Sequence, residues 1–225
     1  PGSRLFSWRD GIGALAGSLA QGLDDNIRTG VAVRRVSAAP GGFEVDLGRD
    51  GRMHARAVVI ATQSHVAAQL IADVDPSGAD AAAQIQAPSL AVVFLGYRRQ
   101  DVAHPLDGLG FLTAEAENRN ILGSQFNSTM FPDRAPVGHV AVSAYIGGVR
   151  APRLARLPGA ELIDLVGAEF GDLLGVSAAP VVAKVRHWPV GLPQYGAGHR
   201  TLVEHLSGCH DRQSGLFLRG NYFAG

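Results

Sequence analysis

The chain has 225 residues, 46% hydrophobic and 18% charged, a composition that builds a core and excludes intrinsic disorder. Its 20 basic and 20 acidic residues cancel without a basic block, which removes the electrostatic footprint of a nucleic-acid binder. The longest apolar runs, at 58–61 and 90–95, are far too short for a membrane-spanning helix, although a peripheral membrane contact stays open.

In chain order, Asp10 stands where a helix N-cap belongs, and Ile12, Leu15, Leu19 and Leu23 follow at helical spacing. Residues 31–36 are rich in β-formers. Phe43, Val45 and Leu47 alternate with Glu44 and Asp46, a strand with one wet face between turns at Gly41-Gly42 and Asp50-Gly51. Residues 58–61 form a continuous apolar strand, and Ser64 is placed to cap a helix running to Ile71. The stretch 73–86, rich in Ala and Asp, reads as a crossing into new architecture. Strands are then expected at 90–97, 108–113, 121–128 and 139–146. Leu162, Leu165, Val166, Phe170 and Leu173 predict a helix over 161–174. A strand at 181–188, a helix at 199–206 and a last strand from 215 complete the series. The pattern is a mixed α/β fold, its mostly antiparallel middle flanked by pieces of another domain.

Cys209 is the single cysteine, so no internal disulfide can form, in keeping with a reducing compartment such as the cytoplasm. The sequence opens on Pro1-Gly2-Ser3 without Met and stops soon after a strand-like stretch. Both ends read as cuts, and the chain is expected to be a piece of a longer protein.

Most chemical motifs dissolve on inspection. Gly11-Ile12-Gly13-Ala14-Leu15-Ala16 fits the loose dinucleotide pattern, but Arg9 and Asp10 stand where a buried strand must end, so it reads as a helix start. His199, His205, Cys209 and His210 lack the second closely spaced pair of a four-ligand metal set, and read as partly exposed structural residues. No nucleophile elbow is present, and Asp133-Arg134, Glu115 and Glu117 read as solvated charges. The segment from Trp188 to His199 is different. Two prolines and three glycines after Trp188 fix an irregular path that carries Trp188, Gln194, Tyr195 and His199. From the residues alone, the wall of a flat-ring pocket and an ordinary loop with a core Trp remain two readings.

This segment, W-x-x-x-x-P-Q-Y-x-x-G-H, resembles the fingerprint of the protoporphyrinogen and coproporphyrinogen oxidases of the flavin amine oxidase superfamily. Other pieces follow in that family's order: Phe6 with the 10–15 segment, Val33-Arg34-Arg35-Val36, and Val58 to His65, where Gln63 replaces the family's Pro. Then come Gly108 to Leu112 with Glu115 or Glu117, Leu122-Gly123, Phe131 to Pro136, Gly147-Gly148 and Gly220-Asn221-Tyr222.

The resemblance implies FAD as cofactor and the oxidation of a porphyrinogen to a porphyrin by oxygen, six electrons in three flavin cycles with hydrogen peroxide as by-product. It implies domain boundaries of 1–80 for part of the FAD-binding domain, 81–185 for a substrate domain and 186–225 for a return to the FAD-binding domain. The family's N-terminal nucleotide-binding unit and its last segment are expected to lie outside this chain, which by itself is expected to be inactive. Cofactor contacts carried over are Val33, Ala61, Thr62, Trp188, Gly220 and Asn221. Substrate contacts carried over are Gly110, Leu112, Tyr145 and Gly148, with Arg98, Arg134 and Arg150 as candidate cations for the propionates and no catalytic side chain named. A homodimer is compatible with this reading. Its rivals are another superfamily oxidase, acting on amines or carotenoids, and a non-catalytic porphyrin- or partner-binding module.

Overall fold

A computed structural model of the chain describes residues 6–23, 26–131 and 133–223. The first elements are α1 (Gly13–Gln21), β1 (Arg35–Ala39), β2 (Gly42–Asp46), β3 (Arg52–Ala55), β4 (Val58–Ile60), α2 (Ser64–Ile71) and α3 (Pro76–Ala83). They are followed by β5 (Leu90–Arg98), β6 (Gly110–Leu112), β7 (Gly123–Gln125), α4 (Asn127–Met130), β8 (His139–Gly147), α5 (Gly159–Leu174) and β9 (Val182–Trp188). The last are α6 (His199–Ser207), α7 (Cys209–Arg212) and β10 (Leu216–Leu218).

The chain forms two compact units. One unites the described residues up to 23 with 88–192, the other those of 26–87 with 193–223. The divisions therefore fall at 87/88 and 192/193, against the expected 80/81 and 185/186, and α1 groups with the later sheet instead of the meander. A physical link accounts for that grouping. Arg134 donates to the Ser7 hydroxyl at 3.0 Å and to the Trp8 carbonyl at 2.6 Å, tying the segment before α1 to the loop before β8.

The first unit is a five-stranded antiparallel sheet of order β6-β7-β8-β5-β9. β5 and β8 are its apolar centre, and their alternation sends Ala91, Val93, Leu95 and Tyr97 to the same face as Val140, Val142, Ala144 and Ile146. Against that face α5 lays Leu162, Val166, Phe170 and Leu174, four residues at helical spacing and all buried. Burial of each stabilises by about 1.5–3 kcal/mol. The helix stops at Gly175, whose φ of +60° is left-handed and whose N–H returns to the Phe170 carbonyl. A side chain there would also meet Ala103 Cβ at 2.8 Å. Buried Glu169 binds the β6–β7 connection to this helix. It accepts the Asn120 N–H at 2.9 Å, Asn120 Nδ2 at 3.0 Å and Arg119 at 3.3 Å.

The second unit holds the antiparallel meander β1-β2-β3 and the parallel pair β4–β10. Ile60, Ile71, Ala82, Leu206, Cys209, Leu216, Leu218 and Tyr222 share its core. The stretch expected as a crossing contains α3, whose start follows capping rules: Asp75 accepts the Gly78 N–H at 3.1 Å and Pro76 occupies the first turn.

Several local expectations shift. α1 begins after Ile12 with no side-chain cap, so Asp10 does not cap it. The first strand of the meander starts at Arg35, beyond most of the β-rich 31–36 stretch. Ser64 is buried within α2, and Gln63 holds the cap position. The strand expected over 121–128 ends at Gln125. There the Ser128 hydroxyl takes over a ladder position by accepting the Ala141 N–H at 3.1 Å. Among the described residues no helix is long and apolar enough to cross a membrane.

Candidate functional site

The sheet unit has one covered face and one open face, and the register defines the open one. Directly paired residues share a face, so Leu112, Gly123, Tyr145, Val92 and Arg186 form one row across the five strands. Gly110, Gln125, Ser143, Phe94 and Lys184 form the next, and Gly147, Leu90 and Trp188 a third. Gly110 and Gly123 keep the β6–β7 end flat. A side chain at Gly110 would meet the Ser124 carbonyl, and one at Gly123 the Phe111 carbonyl. Leu112 stands 89% exposed and Trp188 44% exposed, large apolar groups that the unit leaves uncovered. Tyr145 donates to Gln125 Oε1 at 2.5 Å, and its burial raises the phenol pKa, so the ring stays neutral at physiological pH. These three rows carry no carboxylate and no imidazole. The face is acid-free and largely apolar, with Lys184 and Arg186 along its β9 edge and Arg98, opposite His139, at the end of β5.

The second unit offers a different geometry. β4 and β10 run parallel, with Leu218 opposite Ile60, and the ladder closes where the Arg219 N–H donates to the Ile60 carbonyl at 2.8 Å. Ala61, Thr62, Gly220 and Asn221 thus emerge together beyond the carboxyl ends of two parallel strands, where open α/β sheets bind ligands. All four are exposed. Gly220 has a φ of +157°, and a Cβ there would meet the Tyr222 ring at 2.6 Å. The N-terminus of α2 follows Thr62 directly, and in its first turn the buried Nδ1 of His65 has no partner among the described residues. Tyr195 joins this cluster by donating to the Asn221 carbonyl at 2.5 Å, and it packs edge-on against His199 with ring centroids 4.8 Å apart.

The remaining polar clusters are structural. Asp75 accepts Arg212 Nη2 at 2.7 Å and Nε at 3.0 Å, together with the Ser77 hydroxyl and the Gly78 N–H. Burial opposes its charge, yet these bonds and one from Cys209 hold the carboxyl well below the usual range. Cys209 is 1% exposed, which corrects the expectation of a partly exposed residue. Burial, then Asp75, pushes its thiol up to about 12, so it is not a nucleophile.

A family model described as flavin-containing amine oxidoreductase matches residues 2–225. The chain belongs to that family.

Among relatives of this family member, a chloroplastic protoporphyrinogen oxidase of Nicotiana tabacum is 30% identical over 77% of the chain and 33% of the relative. Protoporphyrinogen oxidase 1 of Arabidopsis thaliana is 27% identical over 100% of the chain and 44% of its own length. A coproporphyrinogen III oxidase of Propionibacterium freudenreichii is 31% identical over 81% and 35%. The chain therefore spans less than half the length of these relatives. Among solved structures, a protein assigned as a protoporphyrinogen oxidase of Exiguobacterium superposes with a TM-score of 0.83 at 20% identity, over 96% of the chain and 47% of the other. A putrescine oxidase superposes at 0.71 with 17% identity, over 96% and 48%. At these identities the likeness speaks to the fold alone, which is that of the flavin amine oxidoreductases.

Of the residues expected to touch a flavin, four have a geometry compatible with one. Ala61, Thr62, Gly220 and Asn221 lie together, a cradle that needs glycine at 220 and adjoins an unpartnered buried imidazole nitrogen. Val33 belongs to the same unit and stands 40% exposed in the segment before β1. Trp188 belongs to the sheet unit. Of the expected substrate residues, Gly110, Leu112 and Tyr145 share the open face, while Gly148 lies in the turn after β8 with Leu122 against it. Two expected cations are already engaged: Arg134 as described, and Arg150 by the Thr113 hydroxyl at 3.0 Å and the Thr113 carbonyl at 2.9 Å. The third, Arg98, is exposed at the end of β5 on the open face, and Lys184 and Arg186, which the sequence did not single out, join it there from β9. The alternation of Lys184, Arg186 and Trp188 along one strand is the signal that could have found them.

Proposed function

We propose that the protein carrying this chain is an FAD-dependent oxidase that converts a porphyrinogen to a porphyrin. The observation that carries the reading is the broad, acid-free open face of the five-stranded sheet. It spans roughly 19 Å across the strands at the usual spacing, room for a tetrapyrrole and its substituents. Relatives named for protoporphyrinogen and coproporphyrinogen oxidation support the same substrate class.

In this reading Leu112, Val92 and Tyr145 supply the apolar floor, and the glycines at 110 and 123 let the ring approach the backbone. Tyr145 stays protonated, fixed by Gln125, and serves as a wall and not as a base. Ala61, Thr62, Gly220 and Asn221 would hold the flavin by backbone approach, with Val33 toward its adenine end and Trp188 beside its ring. Bound FAD would supply the redox chemistry, taking hydride from the macrocycle and passing electrons to oxygen in three cycles with hydrogen peroxide released. The chain's own part is orientation and exclusion of water, which accords with a surface lacking any acid–base pair.

The test offers protoporphyrinogen IX and coproporphyrinogen III separately to the flavin-loaded protein and follows porphyrin fluorescence. Fluorescence rising with at least one substrate, together with peroxide, is the expected result. No rise with either, while a primary amine reduces the flavin, would replace the reading by amine oxidation.

A further inference from the structure

β9 is an edge strand whose open-face residues are Val182, Lys184, Arg186 and Trp188. Lys184 stands opposite Phe94 and Arg186 opposite Val92, so both cations border the apolar rows that contain Tyr145 and Leu112. Two strand residues on one face lie about 6.6 Å apart. Among the described residues neither cation has a carboxylate within ion-pair distance, whereas Arg35, Arg52, Arg119, Arg200 and Arg212 all do. The Arg186 guanidinium carbon lies 5.0 Å from the centroid of the Trp188 ring. A cation–π contact of this kind leaves guanidinium N–H groups available to a carboxylate.

A largely apolar floor with two neighbouring cations along its β9 edge is complementary to a flat molecule whose carboxylates project from one edge; Arg98, on the same face, lies at the end of β5, four residues beyond Phe94, which faces Lys184. We propose that Lys184 and Arg186 bind two neighbouring propionate carboxylates of the tetrapyrrole, with its macrocycle lying across Val92, Tyr145 and Leu112. The assignment rests on the porphyrinogen reading above. Arg186 makes the geometric contact, held in place by Trp188, and Lys184 supplies a more mobile charge. Edge strands also carry Lys to deter pairing with other chains, and that role alone would leave ligand affinity untouched.

The experiment measures binding of coproporphyrin III to the flavin-loaded protein that carries this chain, by porphyrin fluorescence. It compares the unaltered protein with Lys184→Gln, Arg186→Gln and the double variant, and uses the tetramethyl ester in mild detergent as the carboxylate-free control. Each side chain is exposed, so circular dichroism should be unchanged. Each single variant should bind roughly three- to tenfold more weakly, and the double variant more weakly still, with a flatter dependence on salt. The ester should not distinguish the variants. Arg186→Lys should recover only part of the loss, because it restores charge without the fork. Equal affinity of the double variant and the unaltered protein would overturn the assignment and leave the porphyrinogen reading standing. No binding of either porphyrin by the unaltered protein would remove both.

Discussion

Replacing Arg212 by Met would keep most of the side-chain volume and strip the guanidinium from Asp75. That carboxylate is 3% exposed, and it would be left with only neutral donors from Gly78, Ser77 and Cys209. Removing one partner of a buried ion pair costs about 3–5 kcal/mol. The Arg212 side chain is 31% exposed, so solvent already screens part of the interaction and the lower end, about 3 kcal/mol, is expected. That is roughly two orders of magnitude in the opening equilibrium of this unit. Both tryptophans, Trp8 and Trp188, belong to the other unit, so their fluorescence is a poor monitor. Cys209 is the better reporter, as the single cysteine of the chain, buried beside Asp75 and inert while folded. Alkylation of Cys209 should run about a hundredfold faster in Arg212→Met when opening and reclosing are fast relative to the alkylation step. Arg212 favours the thiolate, so losing it would slow labelling of the folded thiol; any acceleration therefore reports opening. Asp75→Asn with Arg212→Met removes the stranded charge and should recover much of the loss. Unchanged labelling in the single variant would refute the argument.

The same carboxylate sets an acid dependence. Its folded pKa lies below the ordinary value of about 3.9, so its stabilisation is complete above that pH and drains as pH falls toward the folded value. The urea midpoint read by far-ultraviolet circular dichroism should fall over that acidic range, and less steeply in Asp75→Asn. Glu169→Ala removes the acceptor that holds Asn120 and Arg119 to α5 and should destabilise the sheet unit by about 1–2 kcal/mol, read from tryptophan fluorescence in urea. Gly175→Ala forces a left-handed φ on a side chain that also meets Ala103, and should cost at least about 1–2 kcal/mol in the same assay. Gly220→Ala drives a Cβ into the Tyr222 ring and should lower the flavin content of the purified protein. Undiminished flavin absorbance would remove Gly220 from the cradle.

The central strands were legible because β5, β8 and β9 are long and apolar or alternating, and α5 because its apolar stripe is regular. The order β6-β7-β8-β5-β9 was not legible, since pairing between distant strands leaves no local trace. That order is what puts Lys184 and Arg186 on the same face as Leu112 and Tyr145. α3 hid behind its Ala and Asp content, although Asp75-Pro76 is a helix-start signal in plain sight. The burial of Cys209 was not legible because it begins α7, a short helix whose neighbours are polar, and it is covered by a core assembled from residues distant in sequence. The cradle residues came from motif order, and the parallel pairing of β4 with β10 supplies the physical reason that four of them meet.

That pairing also orders events in folding. Val58 meets Leu216 only after the whole sheet unit has been made, a long loop whose closure must be offset by a short ladder. The Gly191 N–H donates to the Pro88 carbonyl at 3.1 Å and the Gln194 N–H to the Gln86 carbonyl at 2.9 Å, so the outgoing and returning chain run side by side. A sheet unit that folds first acts as a clasp: it draws the two crossing segments together and shrinks the effective loop to a few residues. On a ribosome the early half of the cradle would then wait, unpaired, for its insert to fold and deliver the strand that completes it.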